Sequence, residues 1–323
     1  MNKYFCTLFD SNYLPQAKSL HSSLLRHLDN TILFMFCMDD KSYDQLSIQN
    51  LKNVILVNYK NLESVFPQLL IAKKNRNTIE YFYTCSPLIC NYVFKTNPNV
   101  ELITYLDSDL YFFDSPLPLF KEMNNFSIGI IDHKFNFLTK RNKKYGNFNV
   151  GWVSFKRDTN GMLCLEDWSN KCLAWCYQKL EPTRYADQKY LDYWQNDFEQ
   201  VKIIENIGAN LAIWNIGNYN LSCKGNKILV NNSPLIFYHF ANLKQLDKNT
   251  FTTGLSRVFI RTKGVIKNKI YMPYLAEFLS NQNNTSTTKS KKDIDHKFLV
   301  KFFRNFSRKI RAFIFNDIIK FNI

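Results

Sequence analysis

The sequence predicts an α/β domain built on a largely parallel sheet, and two observations predict it. Short apolar runs of strand length recur at residues 4–9, 31–37, 54–57, 102–106 and 127–131. Between them lie segments with apolar residues at helical spacing, and strands that alternate with helices pack as βαβ units whose helices cover the sheet. The composition agrees: 323 residues that are 46% hydrophobic and 16% aromatic supply a sizeable core and exclude a globally disordered chain.

The elements follow in order. The first run, YFCTLF, is apolar but for Thr7 and meets Asp10 before a signal-length hydrophobic segment can develop, which implies a cytoplasmic protein. Residues 14–28 place Leu14, Ala17, Leu20, His21, Leu24 and Leu28 at helical spacing and form the first crossover helix. The TILFMFC and VILV runs are the next two strands, and residues 81–94 read as a buried helix that returns the chain to a strand at Leu102. From Asn147 the character changes, with a strand at 150–155, a Trp-bearing helix at 162–178 and a shorter helix at 187–194. Residues 281–292, NQNNTSTTKSKK, hold no apolar side chain and predict a flexible linker. The expected organisation is a main domain over residues 1–245, an accessory segment over 246–279, a linker over 280–296 and a separate basic, aromatic element over 297–323.

The distribution of charge matters more than the net +15. Residues 297–323 hold a net +6 and residues 280–296 a net +1, leaving a moderately basic body of +8 that suits a phosphate-bearing substrate. Written as a helix, residues 297–315 put Leu299, Phe302, Phe303, Phe306, Ile310, Phe313 and Ile314 on one side and Lys297, Lys301, Arg304, Arg308 and Arg311 on the other. An aromatic face opposed to a cationic one is the pattern of an amphipathic helix lying in an anionic membrane surface. The same stripe also suits a helix docked on the core, and basic residues among aromatics suit single-stranded nucleic acid. The long polar linker favours the membrane, so the expectation is peripheral association with the inner face of the membrane and no nucleic-acid partner. No run reaches the ~18 apolar residues of a spanning helix. Eight cysteines stand in apolar contexts without a CxxC pair and predict reduced, buried packing residues; Cys172 and Cys176 come nearest to a zinc pair and lack a second pair.

The sharpest chemical feature is LITYLDSDLYFFD, an apolar strand that runs into Asp107 and Asp109. In an extended chain residues i and i+2 point the same way, so the two carboxylates converge on one cation. At the carboxyl end of a parallel strand they face the crevice where α/β folds bind ligands. Asp is common in turns, so the pair alone also reads as an ordinary strand end.

The stretch Tyr105, Leu106, Asp107, Ser108, Asp109 and Leu110 resembles the donor-metal motif of GT-A glycosyltransferases, and further segments look like family 8 of that group over most of residues 3–245. Residues 9–13, FDSNY, are similar to that family's uracil- and ribose-binding turn, which implies donor contacts from Asp10, Asn12 and Tyr13, with Thr7 on the strand before them. Asn149, Val150 and Gly151 resemble the segment that touches the donor sugar. Asp187 and Gln188 look like the family's Asp-Gln pair beside the reacting carbon, and His239 sits where its third metal ligand is expected. The resemblance implies a GT-A, Rossmann-like nucleotide-diphospho-sugar transferase fold with the C-terminal amphipathic helix as an addition. It implies transfer of a hexose from a nucleotide-diphosphate sugar, UDP foremost, to a hydroxyl of a glycan or lipid-linked acceptor, with retention of configuration. Asp107, Asp109 and His239 would hold the cation, with Ser108 at the donor. An imidazole beside two carboxylates suits Mn²⁺, with Mg²⁺ the alternative.

Two departures bear on the donor. The family commonly follows its ligand histidine with a glycine and then a lysine; here Asn242 replaces the glycine and the lysine is displaced to Lys244, a candidate diphosphate ligand. The arginine expected in the helix before the motif is missing, and the segment holding Tyr83, Thr84 and Ser86 offers only hydroxyls. Each matched residue also has a plainer reading: Asp10 and Asn12 suit a helix cap, His239 a core histidine, and Asp187 the start of a helix. Two rival functions remain at this level. A nucleotidyltransferase of the same fold would bring a Gly-rich basic loop, and residues 9–16 have no glycine; a nonenzymatic membrane or nucleic-acid adaptor would bind no nucleotide sugar.

Overall fold

The computed structural model describes residues 2–283 and 309–321. The chain begins β1 (Lys3–Phe9), α1 (Leu14–His27), β2 (Thr31–Cys37), α2 (Asp40–Ser47) and β3 (Val54–Asn58). Three helices follow, α3 (Tyr59–Val65), α4 (Leu69–Asn75) and α5 (Thr78–Thr96), before the chain returns in β4 (Leu102–Leu106). Next come β5 (Leu110–Phe112), α6 (Leu117–Glu122), β6 (Ile128–Asp132), β7 (Phe148–Lys156), α7 (Thr159–Ala174), α8 (Trp194–Asp197) and β8 (Val201–Ile204).

Seven of these strands form the main sheet in the order β3-β2-β1-β4-β7-β6-β8. All run in one direction except β7, which opposes both its neighbours. Strands with both faces covered are apolar almost throughout, which is why β1 and β2 carry so few polar residues. The chain moves outward from β1 to β3 and comes back to place β4 against the other side of β1. That reversal opens a crevice at the carboxyl ends of β1 and β4, where open α/β sheets bind ligands. α5, which makes the return, starts in a capping box: Asn77 accepts from the Ile79 and Glu80 amides while Glu80 reaches back to the Asn77 amide.

The rest of the chain builds a second body of structure. It comprises β9 (Leu211–Ala212), a small sheet of β10 (Leu221–Lys224), β11 (Lys227–Val230) and β12 (Ser233–Pro234), then β13 (Phe237–His239), β14 (Lys244–Asp247), β15 (Thr250–Thr252), α9 (Met272–Asn283) and β16 (Ile318–Lys320). β13 pairs antiparallel with β5 and parallel with β9.

Several boundaries differ from the sequence reading. The helix expected over 162–178 ends at Ala174, where Arg76 donates to the terminal carbonyls of Cys172 (2.8 Å) and Leu173 (2.6 Å), a cation favoured at a helix C-terminus. The element at 187–194 is a 3₁₀ turn over Lys189–Tyr193 that runs into α8. The accessory segment shares a core with what precedes it: Phe251, Leu255, Tyr271, Tyr274 and Leu275 pack with Leu211, Tyr238 and Phe240. It also docks on α1, since Glu277 takes Arg26 (2.7 Å) and the Tyr111 hydroxyl (2.6 Å). α9 runs through residues expected in the linker, with Asn281 Nδ2 donating to Ser19 Oγ at 3.0 Å. Cys223 lies exposed on β10, whereas the other seven cysteines are buried as expected. Among the described residues no helix is long and apolar enough to cross a membrane.

Residues 297–308 of the expected C-terminal helix lie outside the described residues, and the chain is helical over residues 309–314. It does not continue as a helix to the end: β16 pairs antiparallel with β15. Asp317 holds this return in place, only 4% exposed. It accepts from Thr253 Oγ1 (2.5 Å), Ser256 Oγ (2.7 Å) and Thr252 Oγ1 (3.2 Å). Asp317→Ala would leave these hydroxyls without that acceptor and is expected to cost about 3 kcal/mol. An unchanged urea midpoint for the variant would show that the terminal strand adds nothing to stability.

Candidate metal and donor site

The turn after β4 is the starting point. β4 buries all but its first residue; then the Asp107 amide donates to Gly151 O on β7 and the Leu110 amide to Asp107 O, each at 3.3 Å. Asp107, Ser108 and Asp109 therefore occupy a turn that joins the main sheet to β5, and the turn, rather than strand alternation, brings the two carboxylates together. β5 pairs with β13 so that Leu110 stands opposite His239, and the Phe240 amide donates to Asp109 O at 3.0 Å. This register sets a histidine from far along the chain beside the motif. His239 Nε2 lies 3.0 Å from Asp109 Oδ1 and 3.6 Å from Asp107 Oδ2. One ligand atom from each of the three residues lies within 4.8 Å of the others.

Burial pulls the His239 pKa down, but the negative charges of Asp109 and Asp107 outweigh it and the net shift is upward. Burial raises the Asp107 pKa, and the neighbouring Asp109 carboxylate adds to the rise against the opposing pull of His239. A divalent cation held by these residues would relieve both conditions, taking the place of the proton and offsetting the carboxylate repulsion. The donor set of two carboxylate oxygens and one imidazole nitrogen fits a divalent cation.

Behind His239 lies a chain of polar contacts that the sequence reading did not foresee. His239 Nδ1 donates to Asn149 Oδ1 (3.2 Å), Asn149 Nδ2 donates to His133 Nε2 (3.3 Å), and His133 Nδ1 donates to Asn147 O (2.9 Å). The fixed carbonyl at the far end makes Nδ1 the protonated nitrogen of a neutral His133. Burial pushes the His133 pKa down to about 4, which keeps it neutral at ordinary pH. The relay in turn keeps the hydrogen on His239 Nδ1 and leaves Nε2 for a metal, the usual service of a partner behind a ligand histidine. Trp214 braces both rings edge-on, at centroid distances of 5.1 Å. Gly151 completes the packing: a Cβ there would lie 2.5 Å from Asn149 Oδ1 and 3.0 Å from His239 Nδ1. Asn149→Ala removes the acceptor from Nδ1 and is expected to weaken Mn²⁺ binding about 10- to 100-fold. Undiminished Mn²⁺ affinity in calorimetry would remove the relay from the account.

Asp107, Asp109, His133, Asn149, Trp214 and His239 border a cavity of about 470 Å³ whose lining also includes Asp10, Tyr13, Ser108, Asp187 and Gln188. Asp187 is 4% exposed, and burial pushes its pKa up to about 7, with the Asp107 charge adding to the rise and the Ser86 hydroxyl opposing it. The residue before it, Ala186, takes a left-handed φ of 49°, a conformation costly for a side chain with a Cβ. Gln188 Nε2 donates to Tyr145 O at 3.0 Å. Asp10 closes its own turn, accepting from the Asn12 and Tyr13 amides and from Asn12 Nδ2, and it is not the N-cap of α1, a position held by Tyr13, which makes no side-chain cap bond.

Four residues expected to contact the donor do not line this cavity. Thr7 is fully buried within β1 and does not line the cavity. Asn12 borders an adjoining recess of about 180 Å³ with Gln16 and Tyr274. Gly151 stands behind Asn149 and His239, so its part is close packing. Lys244 is exposed at the start of β14, outside the cavity lining. The sequence reading missed His133 and Trp214 and the aromatic wall of Phe82, Tyr105 and Tyr185. His133 had one usable signal: it follows its strand directly, as Asp107 follows β4.

No family model matches the chain. It is 30% identical to the uncharacterised protein YfnD of Bacillus subtilis strain 168 over 277 residues, 84% of this chain and 87% of that protein. It is 33% identical to YfnF of the same strain over 257 residues, 77% of this chain and 84% of that protein. Among solved structures it resembles the galactosyltransferase LgtC in complex with donor and acceptor sugar analogues, with a TM-score of 0.52 and 14% identity over 89% of this chain and 98% of that one. An active-site mutant of LgtC gives a TM-score of 0.50 at 13% identity over the same shares. At such identity the likeness is one of fold, and the fold is GT-A.

Proposed function

The chain belongs to the family of the Bacillus subtilis proteins YfnD and YfnF, and on that premise we propose that it is a metal-dependent glycosyltransferase moving a hexose from a nucleotide-diphosphate sugar, UDP foremost, to a hydroxyl of a glycan or lipid-linked acceptor. The observation that carries the reading is the meeting of Asp107, Asp109 and His239 in a cavity at the carboxyl ends of β1 and β4. LgtC, which shares the fold, accommodates donor and acceptor sugar analogues, and that precedent supports the same use of the crevice here.

A bound cation, Mn²⁺ by its donor set and Mg²⁺ as the alternative, would supply positive charge against the diphosphate as it departs. Among the described residues lining the cavity none is Lys or Arg, so within that lining the positive charge would come from the ion that Asp107, Asp109 and His239 would hold. Asp10 and Tyr13 lie at the end of β1 and suit the nucleoside. Asp187 and Gln188 suit the sugar: an ionised Asp187 in a buried setting stabilises positive charge at the anomeric carbon, by analogy with carboxylates in glycoside chemistry. Retention of configuration and kinship with family 8 rest on the motif resemblance. The basic, aromatic C-terminal segment would hold the protein at the inner face of the membrane, and the exposed Phe313 beside Lys309 supports that part.

The experiment is a screen of donor hydrolysis across UDP-, GDP- and dTDP-sugars with Mn²⁺. One UDP-hexose should release nucleotide faster than the rest and cease to do so in excess EDTA. Release from no donor, or release indifferent to EDTA, contradicts the reading.

A further inference from the structure

Of the loop between β6 and β7, the site described above uses only the two ends, His133 at its start and the backbone carbonyls of Tyr145 and Asn147 at its close. Residues 134–144 carry Lys134, Lys140, Arg141, Lys143 and Lys144 without an Asp or Glu among them. The last four are exposed, and no ion pair among the described residues engages them. Ahead of these four, Phe137 stands 92% exposed with Leu138 beside it at 45%.

The exposure is built in. Asn136 and Thr139 are buried, and Asn136 Oδ1 accepts from the Leu138 (2.9 Å) and Thr139 (3.0 Å) amides. The Asn136 amide and Thr139 Oγ1 both bind Trp214 O, at 3.0 and 2.6 Å. A turn pinned at both ends projects its two middle side chains outward and leaves them no core to fold back on.

The same loop is fastened to the rim of the cavity. Gln188 Nε2 donates to Tyr145 O (3.0 Å), Lys189 Nζ to Lys144 O (2.9 Å), and the rings of Tyr145 and Tyr185 lie 4.7 Å apart. Gly217 lies between this loop and a second exposed apolar group. Gly217 has Asn136 Nδ2 and Ile260 Cδ1 at 3.0 and 3.5 Å from where its Cβ would be. Next to Ile260, Phe259 is 57% exposed and packs edge-on against Phe315, 5.8 Å between centroids, beneath Arg311.

We infer that this face, residues 137–144 with Phe259 and the helix at 309–314, rests on an anionic lipid surface and turns the mouth of the cavity towards it, so that the acceptor is drawn from lipid. Apolar tips with cations around them match the boundary between acyl chains and anionic headgroups. A soluble polyanion would engage the cations and leave Phe137 in water. The membrane contact stands on the surface alone; the identity of the acceptor rests on the glycosyltransferase reading.

The test uses the full chain with vesicles of phosphatidylglycerol and phosphatidylcholine. Phe137→Trp should lose fluorescence to brominated acyl chains beyond the loss shown by wild type with its five tryptophans. Near an anionic surface each cation contributes roughly fivefold to partitioning. Lys143→Gln/Lys144→Gln, combined with Phe137→Ser, should therefore lower vesicle binding by at least about tenfold. Mn²⁺-dependent UDP binding, measured on the same variants, checks that they are folded. Vesicle binding equal to wild type, or no added quenching in Phe137→Trp, overturns the proposal. If wild type binds no UDP while the vesicle results hold, the enzymatic reading falls and the membrane face stands.

Discussion

Asp109→Asn is expected to abolish transfer, with turnover lowered on the order of a thousandfold and the fold retained. The substitution keeps the shape of the side chain and removes the charge that stands 3.0 Å from His239 Nε2. The cation would then be held by one carboxylate and an imidazole, in a cavity whose described lining has no Lys or Arg to take its place against a diphosphate. Because the Phe240 amide binds the Asp109 backbone carbonyl, the pairing of β5 and β13 survives the change. Nucleotide release at saturating donor, with circular dichroism as the control for folding, decides the matter. Wild-type turnover in the variant would remove Asp109 from the mechanism.

Asp187→Asn separates activity from stability. Turnover should fall by roughly a hundredfold or more if the ionised carboxylate faces charge at the reacting carbon. Stability of the metal-free protein should rise, and the sign follows from the pKa. Burial raises the folded value to about 7, against about 3.9 for an unfolded aspartate. Below pH about 4 the group is protonated in both states and carries no penalty; from there the native state progressively loses stability as pH rises, until the carboxyl ionises near 7. Three units correspond to roughly 4 kcal/mol, which asparagine avoids. Urea melts should give a variant closer to wild type at pH 5 than at pH 8. Parallel curves at the two pH values would show that Asp187 is not a strained ionised group.

The main sheet was legible because its strands are apolar on both faces and its crossover segment at residues 14–28 keeps a helical period; local pattern alone carries that information. The site was legible in pieces. Asp107 and Asp109 announce themselves at a strand end, whereas nothing local says that Leu110 pairs with His239, a long-range register recovered only through resemblance. His133 and Trp214 were missed because they act behind a ligand, where burial hides a polar group's purpose. Thr7 and Lys244 were placed by analogy along the chain, and burial in one case and exposure in the other set them apart from the cavity. The return of β16 was invisible for a different reason. Three residues on an edge strand carry almost no pattern of their own, and their place depends on Asp317 meeting three hydroxyls around residues 252–256.

The central claim is that Asp107, Asp109 and His239 hold a cation for a nucleoside diphosphate, and calorimetric titration of UDP with and without Mn²⁺ tests it most directly. UDP should bind in the presence of Mn²⁺ and lose that binding in excess EDTA. Equal UDP affinity in the two titrations, or no binding in either, would contradict the account.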